Sequence, residues 1–388
     1  MVRSLFNPKI IFYILSATLI SILLSFFILQ ILLLVLSIMW LTDLIIIRKV
    51  NFGGLSSIII LTLLITQILS SLFSDYSKVS FNALIKESFF FLSYFSFTHY
   101  LYFINKDKKL SLLKIFLYGG LLIALIGIIK YNLGSLRAES ITSGSATFSV
   151  FITVIFGMVI ILKDKILIKK NILLETAVLA ILLSAISLTF AKANIFIALL
   201  VLFVCFFLKR VKLNVVLASL VLTAFVVLFS MNNNTKYYTN NLKDESYLFS
   251  NRDLIWKGAF YIALEKPVLG HGVGTFKEIY PYWDQLKDKG VGNWHNQFIQ
   301  VYMDTGIIGM LIFLFLIYHI YSNWFIMRKV KEENEDKIII NSLILGITSL
   351  LLTSLATNFI SSVILSIVFT FMFSLLQSYK TTQYDTIQ

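Results

Sequence analysis

The chain has little with which to build a soluble enzyme: one cysteine, three prolines, and charged side chains at only 14% of its 388 positions. Cys205 stands alone inside an apolar run, which excludes an intrachain disulfide framework and a cysteine-based metal site. Any segment outside a bilayer must therefore be held by packing. No D-x-D pair and no His/Cys/carboxylate cluster is visible, so neither a metal nor another cofactor is expected. No repeat of the transporter type is visible either, and no soluble stretch is long enough to stand alone. What is present is 58% hydrophobic residues and a mean hydropathy of +0.86, the composition of a membrane protein.

A spanning helix needs roughly 20 mostly apolar residues. Runs of that kind predict an all-α integral membrane protein with about twelve transmembrane helices and one large extracytoplasmic loop containing short helices. The expected spans cover residues 9–25, 27–47, 54–73, 81–104, 112–130, 145–162, 172–190, 193–208, 213–230, 303–327, 338–355 and 357–376. The first two share one unbroken apolar run. The implied organisation is spans over 1–230, an extracytoplasmic loop over 231–296, spans over 297–376, and a cytoplasmic tail over 377–388.

Lys and Arg favour the cytoplasmic side of span ends. With both termini inside, most basic residues fall in short cytoplasmic segments such as those holding Arg48 and Lys49, Lys106 to Lys109, or Lys209 to Lys212. The loop over 231–296 has eight basic and seven acidic residues and is nearly neutral. The net charge of +13 is thus topological information. It fits an anionic inner leaflet, with membrane lipids as partners, and gives no support to nucleic-acid binding. The N-terminal apolar run is too long for a signal peptide, and no small-residue cleavage site closes it.

Ionisable residues deep in the spans are scarce, which argues against an ion or proton path across the bilayer. Polarity gathers instead at the outer face. In "GSLRAESITSGSATFSV" Arg137 precedes a Ser/Thr/Gly run suited to close helix packing; the arginine either serves a site or faces water. Lys192 occupies a short hairpin, where it either snorkels to headgroups or meets an anionic lipid group. In "SNRDLIWKGAFYIALEKPVLGHGVGTF", Ser250 and Asp253 form a capping-box pattern and Pro267 supplies a stop. The residues between, with Trp256 and Tyr261, predict a short interfacial helix with Arg252 in its first turn. The alternating Gly270, Gly272 and Gly274 of "GHGVG" suit a tight turn better than a phosphate cradle, since no strand precedes them.

The stretch "NWHNQFIQVYMDTGIIG" completes the set. A helix starting near Asn293 aligns Asn296, Gln300 and Asp304 as one polar stripe beside His295, and Gly306 and Gly309 permit close packing. A histidine with an ordinary pKa near 6.5 can accept a proton from a hydroxyl at neutral pH. His271 is its rival, whereas His99 and His319 lie near or within spans as structural residues. Arginine and lysine beside a histidine suit a metal-free transfer in which cations stabilise a departing diphosphate. A lipid-linked donor is then the natural activated substrate outside the cell.

The order Arg252, Trp256, Pro267, Gly270, Gly272, then His295, Asn296, Phe298, then Gly306 to Gly309 resembles the O-antigen ligase and polymerase superfamily. That resemblance covers about 60 residues; the other spans agree in number and orientation. It implies a membrane glycosyltransferase moving a glycan from undecaprenyl diphosphate to an acceptor at the outer face of the bacterial inner membrane. It assigns the base to His295 and diphosphate binding to Arg252. The family's second arginine corresponds to Lys192, which keeps the charge but loses the bidentate fork. Arg137 is a third candidate on the donor side, and Asn296, His271 and Asn358 are candidate supporting residues. Where many members carry an acidic residue near the last outer hairpin, this chain has Thr357 and Asn358. The single large loop favours a ligase, with lipid A-core as acceptor, over a repeat-unit polymerase. A transporter of lipid-linked sugar would need a polar path through the bilayer.

Overall fold

The computed structural model describes residues 4–48, 50–166, 171–231, 252–286, 291–330 and 335–384. Among them every regular element is helical. The long helices are α1 (Pro8–Leu24), α2 (Phe26–Ile46), α3 (Leu55–Leu72), α4 (Ser77–Tyr100), α5 (Lys106–Asn132), α6 (Ser145–Ile166), α7 (Ile172–Ser187), α8 (Lys192–Phe207) and α9 (Leu213–Met231). Then come the short α10 (Arg252–Ile262) and α11 (Phe276–Ile279), followed by α12 (Gln297–Val330), α13 (Glu335–Thr353) and α14 (Val363–Tyr384). Each expected span corresponds to one long helix. Seven of these are long and apolar enough to cross a membrane by length and composition, and α1, α7, α8 and most of α14 are shorter apolar helices. Helix α4, with Lys78, Lys86 and Glu87 in it, belongs to neither group.

Local chemistry sets the boundaries. The apolar run shared by α1 and α2 is divided at Ser25, whose extended backbone (φ −161°) ends one helix while its hydroxyl accepts from Ile28 N–H in the next. Asn7, Asn105 and Asn171 cap α1, α5 and α7 through their side-chain oxygens. Helix α12 begins at Gln297 rather than near Asn293, because Asn296 Oδ1 accepts from Phe298 and Ile299 N–H and caps it. Helix α14 starts later than expected, leaving 354–362 as a non-helical hairpin, and continues to Tyr384.

Lipid tails are as apolar as leucine, so helix association here rests on close packing rather than on removal from water. Helix α6 is the most enclosed of the seven, lying against α13, α5, α7 and α8. Gly157 and Gly346 permit that approach: a Cβ on either would come within 2.7 Å of Ser349 or Met158. Helix α4 packs on α14, and α3 on α12.

The scarcity of ionisable groups inside the bundle is only partly what the structure holds. Asp43 in α2 is fully buried, accepting from Ser4 Oγ, Leu5 N–H, His99 Nε2 and Tyr100 OH. His99 Nδ1 accepts from Asn51 N–H, so the proton sits on Nε2 and the histidine is a structural link. His319 likewise bonds Ser56 and Asn323. Lys109 is buried with Nζ on the Ser378 carbonyl, and Glu87 accepts from Gln67 Nε2 at 2.9 Å. These helices bury such groups by giving each a hydrogen-bond partner.

Candidate active site

Residues 252–286 and 291–296 sit on one end of the bundle and have their own core. Helix α10 turns Ile255, Ala259 and Ile262 inward against Phe276, Tyr280, Leu286 and Trp294. Gly258 lets the Tyr280 ring lie on the helix, and Tyr280 OH donates to Leu254 O at 2.8 Å. Trp294 is fully buried, its ring edge-on to Phe276 at 4.7 Å between centroids. This is the packing that a chain without disulfides requires, and it fixes the residue next to His295. Ser250, the expected capping-box partner, lies outside the described residues.

The glycine loop locks onto a broken helix. At Gly306 (φ 65°, ψ −162°) α12 leaves helical geometry. Met303 O accepts from His271 N–H at 2.7 Å, Asp304 O accepts from Gly272 N–H and Ser70 Oγ, and Ile307 N–H donates to Pro267 O at 2.8 Å. Gly274 N–H donates to Asp304 Oδ1. Three amides of "GHGVG", those of His271, Gly272 and Gly274, are therefore spent on α12, and Gly270 N–H closes a turn onto Lys266 O. Asp304 is the hub: Gln300 Nε2 reaches its Oδ2 at 2.7 Å.

Above this lock His295 and Arg252 converge. Asn293 Oδ1 accepts from His295 N–H at 2.9 Å and holds His295 in the left-handed region (φ 48°), an uncommon conformation for a residue with a side chain. Arg252 Nη2 donates to Ala356 O at 2.9 Å, and Asn296 Nδ2 donates to Leu355 O at 3.1 Å. Two neighbouring carbonyls of the hairpin 354–362 thus join both sides of the site. Burial, and secondarily the Arg252 charge, push the His295 imidazole down to about 4, so at neutral pH it is the free base.

The hairpin itself is tethered from below. Gln297 Oε1 accepts from both Phe359 and Ile360 N–H, Gln297 N–H donates to Ser354 O, and Asn358 Nδ2 donates to Gln300 Oε1 at 2.7 Å. Asn358 is thereby placed inside the fold, linked through Gln300 to Asp304. Gln297, Trp294 and Glu87 were not among the sequence candidates. A buried tryptophan next to the histidine and a carboxylate within the apolar "LIKESFF" were the available signals.

The remaining candidates are placed differently. His271 is buried, with one ring nitrogen on the Ile262 carbonyl and Nε2 unpartnered among the described residues; burial lowers its pKa. Arg137 and Lys192 are exposed, and Ala138 N–H donates to Leu188 O at 2.9 Å, joining the 133–144 loop to the α7–α8 hairpin. Among the described residues, no group of three or more His, Cys, Asp or Glu side chains could hold a metal ion.

A family model described as O-antigen ligase matches residues 176–314. That stretch runs from α7 into α12 and includes Lys192, Arg252, His271, His295 and Asn296. A curated protein of Rickettsia conorii named "Putative polysaccharide ligase" is 32% identical over 76 residues, 18% of this chain and 18% of that protein. The chain thus aligns with less than a fifth of that relative's length. Both matches support the O-antigen ligase superfamily and a ligase- or polymerase-type function.

Proposed function

We propose that this chain is a membrane glycosyltransferase of the ligase type, taking a glycan from undecaprenyl diphosphate and attaching it to lipid A-core at the outer face of the inner membrane. The observation that carries the reading is the meeting of His295 and Arg252, through Asn296, at adjacent carbonyls of Leu355 and Ala356. A free-base imidazole and a permanent cation share one mouth.

In the proposed reaction His295 accepts the proton of the acceptor hydroxyl as its oxygen forms a bond to the anomeric carbon. The bond from that carbon to the diphosphate oxygen breaks, and undecaprenyl diphosphate departs with the electron pair. Arg252, with Lys192 and Arg137 as further cations, stabilises the growing negative charge. The Arg252 charge also helps to keep the imidazole unprotonated before the acceptor arrives.

The test is a lipopolysaccharide gel from a strain that depends on this chain. Deletion should strand full-length polymer on the carrier lipid, and a single repeat unit on the core would instead assign a polymerase. His295→Ala and Arg252→Ala should reach the membrane at wild-type level yet leave lipid A-core bare. Wild-type ligation by His295→Ala would remove the base role.

A further inference from the structure

At the same end of the bundle, away from His295, a cavity of about 480 Å³ opens between α2, α4, α6 and α14. That is within the usual size of a small-molecule site. Its polar wall combines Lys86 and Gln30 with the hydroxyl residues of the 133–144 loop, the start of α6 and the 354–362 hairpin, and no carboxylate lines it. Its apolar wall includes Phe26 and Phe89.

Lys86 is the feature that calls for a ligand. It lies in α4 and has no ion-pair partner among the described residues. Its neighbour Glu87 points away, buried and accepting from Gln67. Lys86 is exposed on this wall, where an ammonium without an ion-pair partner can give charge-assisted hydrogen bonds to an anionic headgroup. Helical side chains lean towards the helix N-terminus, and α4 begins at the loop-bearing end, so Lys86 reaches towards the cavity mouth. Helices α6 and α14 both start at the cavity, at Ser145 and Val363, so their unpaired first-turn amides face the same space as the ammonium.

We propose that this cavity holds the phosphate of a lipid-borne ligand entering from the bilayer, with Lys86 as its counter-ion and the Thr147, Ser361 and Ser362 hydroxyls and first-turn amides as donors. Phe26 and Phe89 then flank the first carbons of the lipid chain. The cavity is bordered by the two segments that carry the rest of the site. The 133–144 loop lines it with Thr142 and Ser143 and bears Arg137. The 354–362 hairpin lines it with Ser361 and Ser362 and meets Arg252 at Ala356. A phosphate held there is bordered by both segments, so the site serves a lipid substrate on its way to His295. The inference rests on the glycosyltransferase reading only for which lipid is bound.

The experiment measures lipid binding to the full-length protein in nanodiscs by native mass spectrometry, with undecaprenyl diphosphate, phosphatidylglycerol and phosphate-free undecaprenol as probes. Lys86→Gln should weaken binding of a phosphate-bearing probe about tenfold, the loss of one charge-assisted contact. Lys86→Arg should retain it within about threefold, and undecaprenol should bind all forms alike. Weakening confined to undecaprenyl diphosphate assigns the glycan carrier, and weakening of both phospholipid and carrier assigns a general lipid-phosphate site. His295→Ala should bind as the wild type does, so a failure of the transfer chemistry leaves this result standing. Equal binding of both phosphate-bearing probes by Lys86→Gln and wild type, with both eluting as one monodisperse species, overturns the proposal.

Discussion

Gly270 and Gly306 lie back to back: a Cβ on Gly270 would stand 2.6 Å from the Gly306 nitrogen, and one on Gly306 would run into the Val268 carbonyl. Both have positive φ. This contact is where the loop is fastened to the broken helix, and the position of His295 depends on it.

Gly306→Ala should therefore be among the most damaging small substitutions in the chain. The Gly306 backbone (φ 65°, ψ −162°) lies in a region essentially confined to glycine, costing about 1 to 3 kcal/mol with any side chain, and the overlap is with backbone, which cannot swing aside. A fall in apparent Tm in detergent, with loss of ligation, is the expected result. Gly292→Ala is the control: it is exposed, its nearest neighbour would be Lys277 Cε at 3.9 Å, and it should match wild type.

The depressed His295 value makes a pH prediction. A histidine held at about 4, against an ordinary 6.5, takes up its proton late, so the base form persists through mildly acidic pH. The acid limb of kcat/KM should fall near pH 4 instead of near 6.5. In Arg252→Gln the limb should move upward yet stay below 6.5, because burial is the larger cause. For stability the sign is the same. The unfolded chain binds more protons between 6.5 and 4, so the contribution is complete above 6.5 and is lost as pH falls through that window.

Gln297→Ala should loosen the hairpin that joins the two sides of the site. It strands the Phe359 and Ile360 N–H groups in a buried position, a cost of about 1 to 3 kcal/mol for each unsatisfied group. Asn358→Ala removes a single donor to Gln300 and should be milder. Apparent Tm ranks the two, and a ligation rate reduced in the same order would show that the hairpin positions Arg252.

Single cysteines test the topology in a Cys205→Ala background. Cysteine at exposed Leu264 on the loop should react with an impermeant maleimide in intact spheroplasts. Cysteine at exposed Asp107, beside the start of α5, should react only after the membrane is opened. The reverse pattern would overturn the assignment of the loop to the outer side.

Much of the architecture was legible because apolar runs of spanning length leave the backbone no alternative to helix in a bilayer. The break between α1 and α2 inside one apolar run was legible only as an approximate position, since the decision falls to the Ser25 backbone. His295, Arg252 and Asn296 could be picked out because polar side chains beside an apolar run demand a reason. Asp304 was visible with Gln300 as part of a stripe, but its bonds to Gly274 and Ser70 were not, because they join segments distant in sequence. Asp43 and Glu87 drew no notice in the sequence, because the partners that satisfy them come from other segments.

By itself the sequence determined a helical membrane chain, the place of its large loop, and the residue types able to catalyse a transfer, since composition and hydrophobic length act locally along the chain. Only the tertiary structure decided which of those residues meet. It buried the His271 ring, joined Arg252 to Asn296 through the 354–362 hairpin, tied the Arg137 loop to the hairpin that bears Lys192, and opened the Lys86 cavity. Each of these depends on how distant helices pack, and that is fixed by close contacts such as Gly270 on Gly306 rather than by any local pattern.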